Sequence, residues 1–141
     1  MPAVYEKTGI RFLYPDNWML DEEETLHGNQ SISVQSPGGA FWSIVIHPVK
    51  TDPAELAVTA LRALKAEYAD SEAEPACEQI GHQSLSGYDM HFFYLDFTST
   101  AVIRCFRTAS ATCLVLCQAE DREFEQLAPV FRAMTTSLLS G

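Results

Sequence analysis

The residues best equipped for metal or nucleophilic chemistry are four cysteines and four histidines. Either chemistry needs such groups brought within bonding or hydrogen-bonding reach of one another. Cys77, Cys105, Cys113 and Cys117 include no pair separated by two residues. Cys113 and Cys117 stand four apart. On an extended strand that is about 13 Å, against about 2.3 Å for a zinc–sulfur bond. The spacing predicts small apolar core residues. A cysteine nucleophile needs a nearby histidine and a depressed pKa, and nothing local supplies them. His27, His47, His82 and His91 form no recognised ligand pair. His91 shares a strand face with Asp89, whose carboxylate could orient the imidazole. No catalytic residue, metal ligand or cofactor is expected, and the chain is not expected to be an enzyme.

Arg104 and Arg107 lie in a very apolar strand, on opposite faces. The preceding strand carries His91 and Asp96, so a cross-strand Arg104–Asp96 pair is expected, with anion binding as the other use of such an arginine. A slip of one residue would reverse the face. Glu22, Glu23 and Glu24 would point alternately up and down a strand and cannot converge on a cation, so they read as a solvated run. There is no phosphate loop, nucleophile elbow or zinc-protease helix. The aromatics Phe41, Trp42, Phe92, Phe93, Tyr94 and Phe97 fall on both strand faces, which predicts that both faces are covered. An uncovered face would be an exposed apolar surface, and such patches mark partners. The candidate binding residues are Phe41, Trp42, Tyr88, Phe92 and Tyr94.

The elements that must position these groups follow from periodicity. In Asp121 to Leu138, Phe124, Leu127, Ala128, Phe131, Met134 and Leu138 recur at helical spacing. Arg122, Glu123, Glu125, Gln126, Arg132 and Thr136 form the solvated face, Asp121 suits the cap, and Ser140-Gly141 ends the chain. Pro129 predicts either a fresh helix start or a kink at that point. Upstream, Thr51-Asp52-Pro53-Ala54-Glu55 is a helix start, with Asp52 as cap and Pro53 at the first position. That helix runs to about Tyr68, its inner face made by Leu56, Ala60, Ala63, Leu64 and Tyr68.

The remainder reads as strands: Gly9–Tyr14, Trp18–Leu20, Ser31–Gln35, Phe41–His47, Cys77–Ile80, Tyr88–Phe97, Ala101–Arg107 and Thr112–Gln118. Turns are expected at Pro15-Asp16-Asn17, His27-Gly28-Asn29 and Ser36-Pro37-Gly38-Gly39, and a loop over Asp70 to Pro75. Short connections make the later strands antiparallel. The predicted class is α+β: a central antiparallel β-sheet flanked by at least two helices.

At 141 residues, without repeats or linkers, a single domain over 1–141 is expected. The net charge of −10, from 19 acids and 9 bases, opposes nucleic-acid backbones and anionic membranes. The start lacks a basic region followed by an apolar run, and no stretch reaches the ~20 apolar residues of a bilayer span. A cytoplasmic location, which would keep the thiols reduced, is therefore expected.

Gly9-Ile10-Arg11-Phe12-x-Tyr14-Pro15-x-x-Trp18 resembles the opening of the PsbP/Mog-like superfamily. Phe124-x-x-Leu127-x-x-Val130-Phe131-x-x-Met134-x-x-Ser137-Leu138 resembles its last helix, and Gly81 to Tyr94 is similar to the segment between. The resemblance implies an α/β/α sandwich, and members that are mostly binding proteins without catalysis. Acidity and the missing signal fit the DcrB-like and Eag-type bacterial members best. The matching positions look like core and turn positions, so no functional residue carries over. The expected function is a non-enzymatic protein-binding module, an adaptor or chaperone-like protein using a sheet face or groove. The alternative is a small-molecule or lipid binder with a pocket between sheet and helix. The expected partner is another protein, and an uncovered sheet face would also suit a homodimer.

Overall fold

The computed structural model describes residues 2–7 and 9–140; Gly141, expected to end the last helix with Ser140, lies outside the described residues. Strands β1 (Pro2–Lys7) and β2 (Ile10–Pro15) form an antiparallel ribbon. The main sheet has seven strands: β3 (Met19–Glu24), β4 (Gln30–Gln35), β5 (Phe41–Pro48), β6 (Ser71–Ile80), β7 (Gln83–Tyr94), β8 (Phe97–Arg107) and β9 (Ala111–Glu120). Their order is β3-β4-β5-β9-β8-β7-β6, antiparallel throughout. Helix α1 (Pro53–Glu67) joins β5 to β6, and α2 (Asp121–Ser140) follows β9. The predicted α+β class with a central antiparallel sheet and flanking helices is what the chain adopts.

One sheet face carries Ile32, Val34, Trp42, Ile44, Val115, Cys117 and Phe106, all buried under α2 and the ribbon. Phe12 of the ribbon packs on Trp42 with ring centroids 4.7 Å apart. Polar contacts fix α2 along its length. The Glu123 carboxylate accepts from Ser36 Oγ (2.9 Å) and the Ala40 N–H (3.0 Å). Trp42 Nε1 donates to Thr135 Oγ1 (3.0 Å), and the Leu13 N–H donates to Ser137 Oγ (2.9 Å). Glu123 was expected on the solvated face and instead holds the β4–β5 turn; a Cβ at Gly38 would overlap its carboxylate. Pro129 neither starts nor ends the helix, which runs through it. Pro129 and Glu125, whose carbonyl loses its bond, are both exposed residues.

The opposite face is covered by α1 where Met90, Phe92, Ala101, Ile103 and Cys105 lie. Asp52 caps α1 by accepting from the Ala54 N–H (3.3 Å), with Pro53 in the first turn. Leu56, Ala57 and Leu64 are buried; Ala63, expected on the inner face, is exposed because Ala57 and Leu61 take the contact. Two further expectations are corrected. Asp70 to Pro75 is mostly the start of β6 rather than a loop. Phe97 opens β8 rather than closing the strand before it.

Gly87 lies opposite Arg104 in the ladder, and a Cβ there would overlap the Ile103 carbonyl. Backbone on a neighbouring strand cannot give way as a side-chain end can. Gly87→Ala should therefore lower stability by about 3 kcal/mol, read from the urea midpoint at unchanged slope.

Candidate functional site

The β7–β8 ladder runs from Ser86–Cys105 up to Tyr94–Phe97, leaving only Leu95 and Asp96 for the turn. Both have positive φ, 49° and 68°. Asparagine and glycine suit such a two-residue turn, and aspartate tolerates it, whereas a left-handed leucine costs about 1–2 kcal/mol. Four large apolar side chains stand in solvent around the turn: Phe93 is 59% exposed, Tyr94 54%, Leu95 73% and Phe97 60%, with Tyr94 and Phe97 paired on the α1 face and Phe93 on the other. The tip stands on a packed base. Tyr68, at the end of α1, stacks on Phe92 with centroids 4.0 Å apart and meets Tyr94 edge-on at 5.5 Å. Gln118 Nε2 donates to the Tyr68 hydroxyl (3.1 Å). Below the tip, Asp70, Glu72, His91, Phe93, Thr98 and Asp121 line an open recess of about 380 Å³.

The five residues singled out from sequence do not form one surface. Trp42 is fully buried under α2, and Phe92 is buried under α1, so neither can meet a partner. Tyr88 is partly buried beside α1, and Phe41 is half-buried at the start of β5. Tyr94 alone of the five belongs to the tip. Phe93 and Phe97 were visible as aromatics on a strand, but Leu95 went unread because nothing in Leu-Asp signals a turn.

Arg104 is partly buried on the α2 face, and its partner is not Asp96, which lies in the turn. Its Nε contacts Glu78 Oε1 (2.9 Å) and its Nη2 contacts Asp89 Oδ1 (2.9 Å). Its Nη1 donates to the Ile103 carbonyl (3.0 Å). Arg132 binds the other Glu78 oxygen. With its donors turned to protein acceptors, Arg104 has little left for a bound anion. Asp89 is thereby taken from His91, whose Nδ1 contacts Thr100 Oγ1 (3.1 Å); that hydroxyl donates to Asp121 Oδ1 (2.7 Å).

Among the described residues no three His, Cys, Asp or Glu side chains gather as a metal site. Burial pushes the Cys105 thiol up to about 12, with nearby Cys113 adding to it, and Cys113 to about 11. Burial raises Cys117 too, against a smaller opposing effect of Arg104. Such thiols are poor nucleophiles. A second concavity, an open apolar groove of about 550 Å³, lies between the ribbon and α2, against Pro2, Leu13, Tyr14, Pro129, Val130 and Met134. No helix among the described residues is long and apolar enough to cross a membrane.

No protein-family model and no curated protein matches the chain. Solved structures do. The solution structure of cyanobacterial PsbP (CyanoP) from Synechocystis sp. PCC 6803 superposes at TM-score 0.67 with 13% identity, over 96% of this chain and 90% of that one. The fold is PsbP-like. A crystal structure of a Pseudomonas aeruginosa protein of unknown function matches at TM-score 0.60 with 11% identity, over 97% of this chain and 95% of that one. At such identities the likeness concerns architecture and carries no residue's role.

Replacing the turn by Leu95→Asn with Asp96→Gly should raise stability by about 1–2 kcal/mol in urea unfolding. Near pH 8 a thiol reagent should titrate only the exposed Cys77 in the native protein. The buried thiols have folded pKa values above their ordinary 9.0, so their contribution is intact below pH 9 and is lost as pH rises toward 11 to 12. Over that window stability should fall by about 1.4 kcal/mol per pH unit per thiol.

Proposed function

We propose that this chain is a non-enzymatic protein-binding module, an adaptor or chaperone-like protein, whose contact surface is the β7–β8 tip. The observation that carries the reading is a hairpin end that exposes four large apolar side chains, Tyr94 and Phe97 on one face, Phe93 on the other and Leu95 in the left-handed turn. Strain of that kind persists where the surrounding structure enforces it, and it concentrates at working surfaces. Contiguous exposed apolar surface marks partners, whereas single exposed side chains are ordinary. Tyr68 packs edge-on against Tyr94, so that ring loses little conformational freedom on binding. The non-enzymatic part is supported by the scattering of reactive groups: Asp89 turns to Arg104, His91 turns to Thr100, and Cys105, Cys113 and Cys117 are buried. A cytoplasmic setting and kinship with DcrB-like and Eag-type bacterial proteins belong to this reading, on the strength of the acidity and of the motifs at 9–18 and 124–138.

A photoreactive phenylalanine analogue at position 97 should cross-link one dominant protein in cells. The same group at Arg62, exposed on α1, should not. Leu95→Asp should abolish the adduct without unfolding the chain. Equal adducts from both positions, or none from position 97, would sink the reading.

The small-molecule or lipid alternative is favoured by the groove between the ribbon and α2. It predicts saturable NMR shifts at Leu13 and Val130 on addition of a medium-chain alcohol, and no change at Phe97.

A further inference from the structure

The apolar groove between the ribbon and α2 has two unlike ends. Two contacts fix its direction: the Leu13 N–H on Ser137 Oγ (2.9 Å), and the Trp18 ring against Phe131, with centroids 6.0 Å apart. Following β2 from Leu13 toward Asn17 therefore follows α2 backward from Ser137 toward Pro129. Leu13, Ala133 and Met134 make the first end, which is wholly apolar. Asp16, Asn17 and Pro129 make the second, and Pro2, paired with Pro15, lies there too.

The supply of hydrogen bonds along the groove selects what fits. Outward-facing backbone positions on a two-stranded ribbon alternate. On the edge of β2 that meets α2, Leu13 has given its N–H to Ser137, and the next outward position, Pro15, has none. Pro2 and Pro129 have none either, and the N–H groups of Ala133 and Met134 lie inside α2 and serve the helix. A peptide that adds to a strand edge needs such donors for its carbonyls. Hydrocarbon needs none. Acceptors, by contrast, gather at the second end. Pro129 cannot give the Glu125 carbonyl its helical donor, and its ring stands against that carbonyl. Asp16 is the one carboxylate of the lining, and among the described residues no lysine or arginine lines the groove. Asn17 can serve a donor or an acceptor.

Resting on the small-molecule reading of this groove, and independent of the tip, we infer that its occupant is a single-chain amphiphile with a protonated amine head. The alkyl chain lies over Leu13, Val130, Ala133 and Met134. The ammonium stands at the second end, where it gives hydrogen bonds to the Asp16 carboxylate and the Glu125 carbonyl. Charge and donor count agree there, because an ammonium brings three donors and no acceptor. A fatty acid is the poorer occupant, since its carboxylate would be set beside Asp16 on a chain of net charge −10. A neutral alcohol fits the apolar end equally well but leaves the charge of Asp16 unused.

The test titrates the full chain separately with octylammonium, 1-octanol and octanoate, each kept below its micelle concentration. The readout is the NMR amide shifts of Leu13, Asp16, Asn17, Val130 and Ala133. Octylammonium should saturate them at about fivefold lower concentration than 1-octanol, with octanoate weakest and Phe97 unmoved. Asp16→Asn should erase the difference between amine and alcohol and leave 1-octanol binding unchanged. Pro129→Ala gives the Glu125 carbonyl its donor back, so it should raise the urea midpoint and weaken octylammonium binding. Ala133→Trp, at an exposed position, should block all three probes, with the urea midpoint as the check on folding. Octylammonium no tighter than 1-octanol, or unaffected by both Asp16→Asn and Pro129→Ala, would overturn the inference and leave the small-molecule reading standing. Absence of saturable shifts with all three probes would remove that reading as well. Shifts confined to residues 93–97 would overturn the inference by placing the alkyl chain at the tip.

Discussion

The middle strands of the sheet are apolar on both faces, and every other element answers to that. In β9, Cys113, Val115 and Cys117 point to one side, and Leu114 and Leu116 to the other. In β8, Phe106 and Val102 oppose Ile103 and Cys105. Neither side can face water at a cost of about 25 cal/mol per Å² of apolar surface. The C-terminal helix and the ribbon close one side. The other has only α1, whose 15 residues span about 22 Å. That helix covers β7, β8 and β9 and stops short of β4. Beyond it that side carries Ser31, Ser33, Gln35 and Ser43, beside the half-buried Phe41 and Val45.

The rim of the sheet obeys a related rule. Its outermost strands, β3 and β6, carry Asp21, Glu22, Glu23, Glu24, Glu72, Glu74 and Glu78, seven of the chain's 19 acids. β6 also contains Pro75, which removes a backbone donor. The acidic runs thus discourage a further strand from joining either edge. Val4, Met19, Leu26 and Val49 are exposed singly, as on any surface. The β7–β8 tip differs in exposing four large apolar side chains between Phe93 and Phe97.

Much of this was legible in the sequence. Helical spacing placed the inner face of α2, and Asp52-Pro53 placed the start of α1. Alternation located most strands, and the class followed from their order. The turn at Leu95-Asp96 was not legible, because neither glycine nor asparagine marks it. Reading strand through to Phe97 moved the expected hairpin toward Thr98–Thr100 and so gave Arg104 the wrong partner, Asp96 instead of Asp89. Trp42 and Phe92 were misplaced for another reason. Both belong to strands with apolar residues on each face, so alternation cannot say which aromatics stay dry. Glu123 looked like any charge on a polar helix face, and only the fold brings the Ser36–Ala40 turn beneath it.

The way α2 is fastened has a consequence for timing. Its polar contacts reach back 87 residues to Ser36, 93 to Trp42 and 124 to Leu13. The core under α1 is assembled from residues lying between the two helix starts. The core on the other face has only the ribbon as cover until α2 is made. While the protein is still being synthesised, Trp42, Ile44 and Val115 stand ready on a sheet that α2 has yet to cover. Closure therefore waits for α2 and joins segments far apart in sequence, and the nascent protein exposes apolar sheet surface until then.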